Sequence, residues 1–324
     1  HSDVSITIIV MSLYVLSSLQ GNFLMSGFRC NGNYAQGNLI LIITRITECF
    51  IVLVSVTLGA KLVLVSTIFF VVRSFGWTVL YLVLKVRVPW LKLGFNYSSF
   101  TEIKQLFQPA ITFMAIPLGN AINNQGFLMV VAISLNPASV AIFSTMRTLS
   151  RFAFQIVNGI GNAVWPELSA AYGAGDLQSA RNIHRRSVQA SAWMSILASA
   201  ALLAFGQQII NIWTNGKIPY NPVLFGGFLI IVIVNTLWFS SSIALVATNN
   251  HSNMSIRYVS VTIISIILSL ILAQRVGMYG IIICICLGDL FMNFYVLRAS
   301  LRILDDSFKY FVRALFSIPS FRFY

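Results

Sequence analysis

Charge is the first thing this sequence is short of. Only 9% of its 324 residues are Asp, Glu, Lys or Arg, and 57% are hydrophobic. That balance excludes a soluble globular protein of this length. Strict alternation of apolar and polar residues is missing too, which argues against a transmembrane β-barrel. Instead, apolar runs of about 20 residues recur, the length that crosses a hydrocarbon core about 30 Å thick. The chain reads as an all-α polytopic membrane protein.

Titratable chemistry is scarce as well. There are 8 acidic residues and 3 histidines. No nucleophile–base pair, metal-ligand spacing or phosphate-cradling glycine loop is visible, so no active site and no metal are expected. Cys284 and Cys286 lie two apart in one apolar run, on diverging helix faces, and read as packing residues; Cys30 and Cys49 carry little information. No initiator Met or signal-type n-region opens the chain, and the apolar stretch 4–28 is too long for a signal core. The expectation is that an N-terminal part is missing. A net charge of +13 could suggest nucleic acid. The basic residues, however, are scattered along loops beside apolar runs, which is a topology pattern. The expected partner is the bilayer, not nucleic acid.

What is present is a series of nine spans, at 4–28, 38–57, 61–84, 105–134, 137–165, 186–213, 222–248, 255–274 and 277–302, with a polar connector at 85–104. Connections alternate in charge. One set holds fourteen basic residues: Arg29, Lys85, Arg87, Lys92, Lys104, Arg181, Arg185, Arg186, Arg257, Arg298, Arg302, Lys309, Arg313 and Arg322. The other set holds three, Lys61, Lys217 and Arg275. The positive-inside rule makes the first set, and the C-terminus, cytoplasmic. A weak repeat accompanies this topology. Gly59, opening the third span, matches Gly277, opening the ninth, so spans one to three repeat spans seven to nine. Such repeats are common in transporters.

Three stretches resemble the multidrug/oligosaccharidyl-lipid/polysaccharide exporter superfamily. Residues 100–144, FTEIKQLFQPAITFMAIPLGNAINNQGFLMVVAISLNPASVAIFS, look like the entry into the second lobe, with a proline-interrupted helix and a tight turn. Pro166, Ser169 and Gly175-Asp176 match a P-x-x-S…G-D loop, placed in a cytoplasmic connection after Trp165. Residues 28–37, FRCNGNYAQG, look like the family's polar turn. Within the superfamily the chain is most similar to the polysaccharide-type flippases of undecaprenyl-pyrophosphate-linked oligosaccharides (the O-antigen type). The resemblance implies helices four to twelve of a two-lobe, twelve-helix, MATE-like transporter of the bacterial inner membrane, with about three spans preceding His1. Residues 1–90 would complete a first lobe, 91–304 would form the second, and 305–324 would be a cytoplasmic tail. It also implies alternating access, a lipid-linked oligosaccharide as substrate, and polysaccharide polymerase machinery as a further partner. No cofactor is expected beyond proton or sodium coupling. A cation-coupled small-molecule exporter of the same superfamily is the alternative, and an integral-membrane cell-envelope transferase is the rival from another class. Relatives often place an acidic residue where this chain has Asn123-Asn124-Gln125, which argues against a cation-coupling role there.

Charged residues inside spans are costly and are functional by default. Arg147 and Arg151 share one helix face at i, i+4. They read as a cationic wall for a pyrophosphate, which arginine's planar fork suits; snorkelling or pairing with a carboxylate is the plainer reading. Arg45 and Glu48, at i, i+3, read as a neutralising intrahelical pair, with lining of a cavity as the alternative. Arg73, with no local acidic neighbour, reads either as a lone cavity cation or as the partner of an unseen carboxylate. Asp289, with Asn293 one turn on, is a coupling carboxylate or the partner of one of these arginines. Asn120, Asn123, Asn124 and Gln125 either bind sugar hydroxyls or satisfy backbone groups freed by Pro117. Ser240, Ser241 and Ser242 read as packing residues, and His184 as a solvated loop residue.

Overall fold

A computed structural model describes residues 2–91, 94 and 99–317. Lys92 and Arg322 of the charge pattern, and His1, lie outside the described residues. The chain divides into two compact units, His1–Ser98 and Ser99–Tyr324. The described residues form helices and turns with no strand. The first unit holds α1 (Ser2–Cys30), α2 (Tyr34–Thr57) and α3 (Leu62–Arg87). The second holds α4 (Phe100–Ser134), α5 (Pro137–Gly173), α6 (Leu177–Thr214), α7 (Pro222–Ala247), α8 (Ser252–Val276), α9 (Met278–Ile303) and the short α10 (Phe308–Phe316).

Helix ends are set by local chemistry. Asn136 and Asn221 each cap a helix whose next residue is proline, accepting from Ser139 N–H at 2.8 Å and Leu224 N–H at 3.0 Å. Gly59 (φ +77°) and Gly277 (φ +66°) take left-handed conformations at the α2–α3 and α8–α9 turns. These are the two positions that the sequence repeat aligns. Packing has the same order in both triplets: α3 packs on α1 and α2, and α9 packs on α7 and α8.

Two expected breaks are absent. Pro117 does not interrupt α4. The loop expected after Trp165 is helical: α5 continues through Pro166 to Gly173, and α6 starts at Leu177. Only three residues, 174–176, join them, with Gly175 at φ +76° and Asp176 as the cap of α6. Proline removes one helical hydrogen bond, and the surrounding turns of α5 keep the remainder. Hydrogen bonds from Ser179 hold the Asp176 carboxyl below the usual carboxylate range. Seven helices are long and apolar enough to cross a membrane: α1, α2, α3, α6, α7, α8 and α9. The other two long helices, α4 and α5, are the ones that carry the amide cluster and the arginine pair.

Apolar side chains face outward, as lipid solvation allows: Ile8, Leu16, Phe50 and Leu53 are each 60–66% exposed. Inside, small residues let helices approach. Ser187, Ser191, Ser195 and Ser199, every fourth residue, form a buried line along α6. His184 belongs to the same line and is fully buried, contrary to its expected place in a solvated loop. Its Nε2 lies 2.9 Å from Ser241 Oγ, which lies 2.6 Å from Ser300 Oγ, so one polar contact chain ties α6, α7 and α9. The His184 ring stacks on Phe311 of α10. Arg181 pairs with Asp305 at 2.9 Å and Arg185 with Asp306, fixing the α9–α10 turn against α6.

The first unit has a polar centre as well as an apolar one. Leu24, Met25, Phe28, Leu80, Leu84 and Val88 form its core. Deeper along the helices, Arg73 Nη2 donates to Glu48 Oε2 at 2.5 Å and to Tyr14 Oη at 2.6 Å. This corrects two expectations. Glu48 is buried and pairs across helices with Arg73, leaving Arg45 exposed on α2. Arg73 is accordingly not a lone cation; its carboxylate sits 25 residues away in sequence, which spacing along one helix cannot reveal.

Two stability outcomes follow from this unit. A Cβ on Gly21 would fall 2.0 Å from the Trp77 ring, so Gly21→Val is expected to destabilise by about 1–3 kcal/mol through overpacking. An unchanged thermal midpoint in detergent would show that α1 and α3 do not meet there. Glu48→Ala is expected to cost about 3–5 kcal/mol by stranding the Arg73 charge, and adding Arg73→Ala should restore most of it. Additive losses in the double variant would count against the pair.

Candidate functional site

The site is built in the second unit by α4, α5, α7, α8 and α9, with α6 outside it. α4 packs mainly on α8, and α5 on α6 and α7, while α4 and α5 touch each other more lightly. A cavity of about 280 Å³ occupies the space between them.

Polar side chains from α4 and α5 meet there. Asn120, Asn123 and Asn124 share one face of α4 at i, i+3 and i+4. Arg147 reaches across from α5. Its Nη2 donates to Asn123 Oδ1 at 2.7 Å and to the Asn123 carbonyl at 3.2 Å, and its Nη1 donates to the Asn124 carbonyl at 3.1 Å. Arg151 Nη1 donates to Asn124 Oδ1 at 2.7 Å. Both arginines line the cavity, and among the described residues neither forms an ion pair. They differ in what remains free. Arg147 is half-buried and gives both terminal nitrogens to α4, and Phe127 and Phe143 each flank its guanidinium at 5.9 Å. Arg151 is exposed and makes one such bond, so most of its donor fork is open to a ligand.

Asp289 faces the same cavity from α9 and is buried. Its Oδ1 accepts from Asn235 Nδ2 and Trp238 Nε1, both at 2.9 Å. An arginine partner, one of its two expected roles, is therefore not what holds it. Asn293 donates to the Val234 carbonyl at 2.7 Å and serves helix packing. With two arginines and one carboxylate, the formal balance of the cavity is one positive charge.

The amide cluster divides. Asn120 accepts from Tyr258 Oη at 2.8 Å, and Asn123 and Asn124 hold the arginines. Gln125 lies on an exposed face and lines no cavity described for this unit. Arg45, Glu48 and Arg73 belong to the first unit, and the cavity is built without them.

Sequence reasoning missed part of the site. Gln155 and Asn158 also line the cavity. Asn158 and Asn162 line a second, smaller chamber of about 150 Å³ with Trp165, Trp238 and Phe239. The signal was the spacing: 147, 151, 155, 158 and 162 step by four, four, three and four, which is one face of a helix. The arginines drew attention to charge and away from the uncharged members of the same stripe. Asn235 and Trp238 could not have been found, because their pairing with Asp289 joins α7 to α9. Among the described residues, no three His, Cys, Asp or Glu side chains come together as a metal site.

No protein-family model matches the sequence, and no curated protein matches it. Solved structures do match in fold. An outward-facing multidrug resistance MATE family transporter of the MOP superfamily aligns with a TM-score of 0.74 at 14% identity, over 94% of this chain and 75% of that one. A Vibrio cholerae MATE transporter aligns with a TM-score of 0.71 at 13% identity, over 95% of this chain and 78% of that one. A MATE structure in the bent conformation gives 0.71 at 13% identity, over 94% and 70%. At this identity the likeness concerns architecture, and the chain has the all-helical fold of MATE transporters.

Proposed function

We propose that the chain is a membrane transporter working by alternating access, and that its substrate presents an anionic group. The observation that carries the second half is the open guanidinium of Arg151 beside Arg147 in a cavity with a single carboxylate. A charge inside a membrane-spanning unit needs either a partner or a ligand. Arg147 is satisfied by α4, whereas Arg151 keeps donors aimed into the cavity. A planar donor fork suits phosphate oxygens. With the sequence resemblance, this supports translocation of a polyprenyl-diphosphate-linked oligosaccharide across a bacterial inner membrane, with the diphosphate at Arg151.

A second reading has its own support. One transporter that shares the fold is named for multidrug resistance, and by likeness of architecture alone a cation-coupled exporter fits better. Asp289, free of any arginine, could then couple a proton or sodium ion. The sign of the cavity charge separates the readings, since a cationic drug would meet Arg147 and Arg151 as repulsion.

Reconstituted vesicles decide between them. The first reading expects translocation of a fluorescent polyprenyl-diphosphate oligosaccharide, with Arg151→Ala reducing it about tenfold or more, the loss of one charge-assisted contact. Proton- or sodium-driven uptake of a lipophilic organic cation, undiminished in Arg151→Ala and lost in Asp289→Asn, would establish the second reading and remove the first.

A further inference from the structure

We propose that the polar stripe of α5 is a glycan track, in which the chamber beside Trp165 seats a pyranose ring adjoining the anionic group. This inference rests on the anionic-substrate reading and names what that anion carries.

The stripe runs Arg147, Arg151, Gln155, Asn158, Asn162. At 1.5 Å per residue it extends about 22 Å along the helix. Its charge is confined to one end. Arg147, Arg151, Gln155 and Asn158 line the larger cavity, and Asn158 and Asn162 line the smaller chamber. Asn120, Asn158, Trp238, Phe239 and Tyr258 line both, so the two spaces adjoin. Among the described residues, Gln155, Asn158 and Asn162 have no hydrogen-bond partner in the protein. Gln155 and Asn162 are exposed and Asn158 is half-buried, so the donors and acceptors of all three amides are open to a ligand.

The chamber supplies the complementary surface. Phe113 and Trp165 lie tilted at 35° with ring centroids 6.3 Å apart, and Trp238 and Tyr258 at 44° with centroids 5.2 Å apart. Ser242 adds a hydroxyl. Flat aromatic faces interleaved with amides suit a ring that has an apolar face and a hydroxylated rim, which is a pyranose. A purely apolar molecule would leave the amides unsatisfied, and a second anion would find no cation there. Size agrees: about 150 Å³ is well below the roughly 300–1,000 Å³ of drug-sized sites. It suits one ring attached to a group held next door. Polarity along α5 then orders the ligand, with diphosphate at Arg151, the first sugar beside Gln155 and Asn158, and its neighbour at Asn162 and Trp165.

The test measures binding to the full chain in detergent by intrinsic tryptophan fluorescence. Two probes are used, a short-chain polyprenyl diphosphate and the same diphosphate bearing a disaccharide. The expected result is at least tenfold tighter binding of the glycosylated probe. Asn162→Leu, at a position that lines only the smaller chamber, should remove most of that advantage and leave the bare diphosphate unchanged; Asn162 is exposed and has no protein partner, so folding should persist. Arg151→Ala should weaken both probes equally. Equal affinity for the two probes in the unaltered protein overturns the track, as does an advantage that survives Asn162→Leu undiminished. If Arg151→Ala leaves both affinities unchanged, or neither probe binds, the anionic-substrate reading falls and the track falls with it.

Discussion

The second unit depends on one contact, the reach of Arg147 from α5 to α4. It donates to two main-chain carbonyls and one amide oxygen of Asn123 and Asn124. Helices α4 and α5 are joined by the two-residue turn 135–136 and share an apolar core beside it, while along the rest of their length each packs mainly elsewhere. The guanidinium spans the gap and keeps it a gap. A shorter side chain would let apolar faces collapse together, and an aliphatic one would leave two crowded carbonyls without their extra donor. A long, charged side chain thus bridges α5 and α4 at the cavity as a strut. It also fits the absence of α4 and α5 from the long helices that carry an apolar stretch of membrane-spanning length, since their inner faces border a polar space.

The same logic, with different residues, organises the first unit. Arg73 joins α1, α2 and α3 through Tyr14 and Glu48. In one unit an arginine is neutralised by a carboxylate and its position is purely architectural. In the other, the arginines lean on neutral oxygens and keep their charge. Asp289, which could have neutralised them, is turned instead toward Asn235 and Trp238. The distribution of Arg73, Arg147 and Arg151 between paired and unpaired states thus follows where the acidic residues lie.

Much of the fold could be read directly. Apolar runs located the nine long helices, and the matching glycines at 59 and 277 marked equivalent turns, because a left-handed backbone favours a residue without Cβ. The error around Pro166 came from treating proline and Gly175-Asp176 as one loop signal; the proline sits inside α5, and only the glycine ends it. In the site, Arg147, Arg151, Asn120, Asn123, Asn124 and Asp289 were found because polarity within a span is conspicuous. Their partners were harder. Arg45 lies nearer to Glu48 in sequence than Arg73 does, so spacing chose the wrong pair. His184 looked like a loop residue because arginines follow it, yet α6 begins before it and carries it into the interior. Contacts between helices follow from tertiary packing, which one-dimensional periodicity does not contain.

The continuity of α5 past Pro166 has a mechanical consequence. At 37 residues and 1.5 Å per residue, α5 is about 55 Å long, against a hydrocarbon core of about 30 Å. Its neighbour α6, of 38 residues, turns back on it after three residues. The pair is a stiff hairpin that overreaches the bilayer. A rod of that length tilting by about 10° carries its far end through about 10 Å. Small changes in how the strut at Arg147 seats would therefore be amplified at the hairpin tip, far from any ligand, into a displacement the size of a helix diameter.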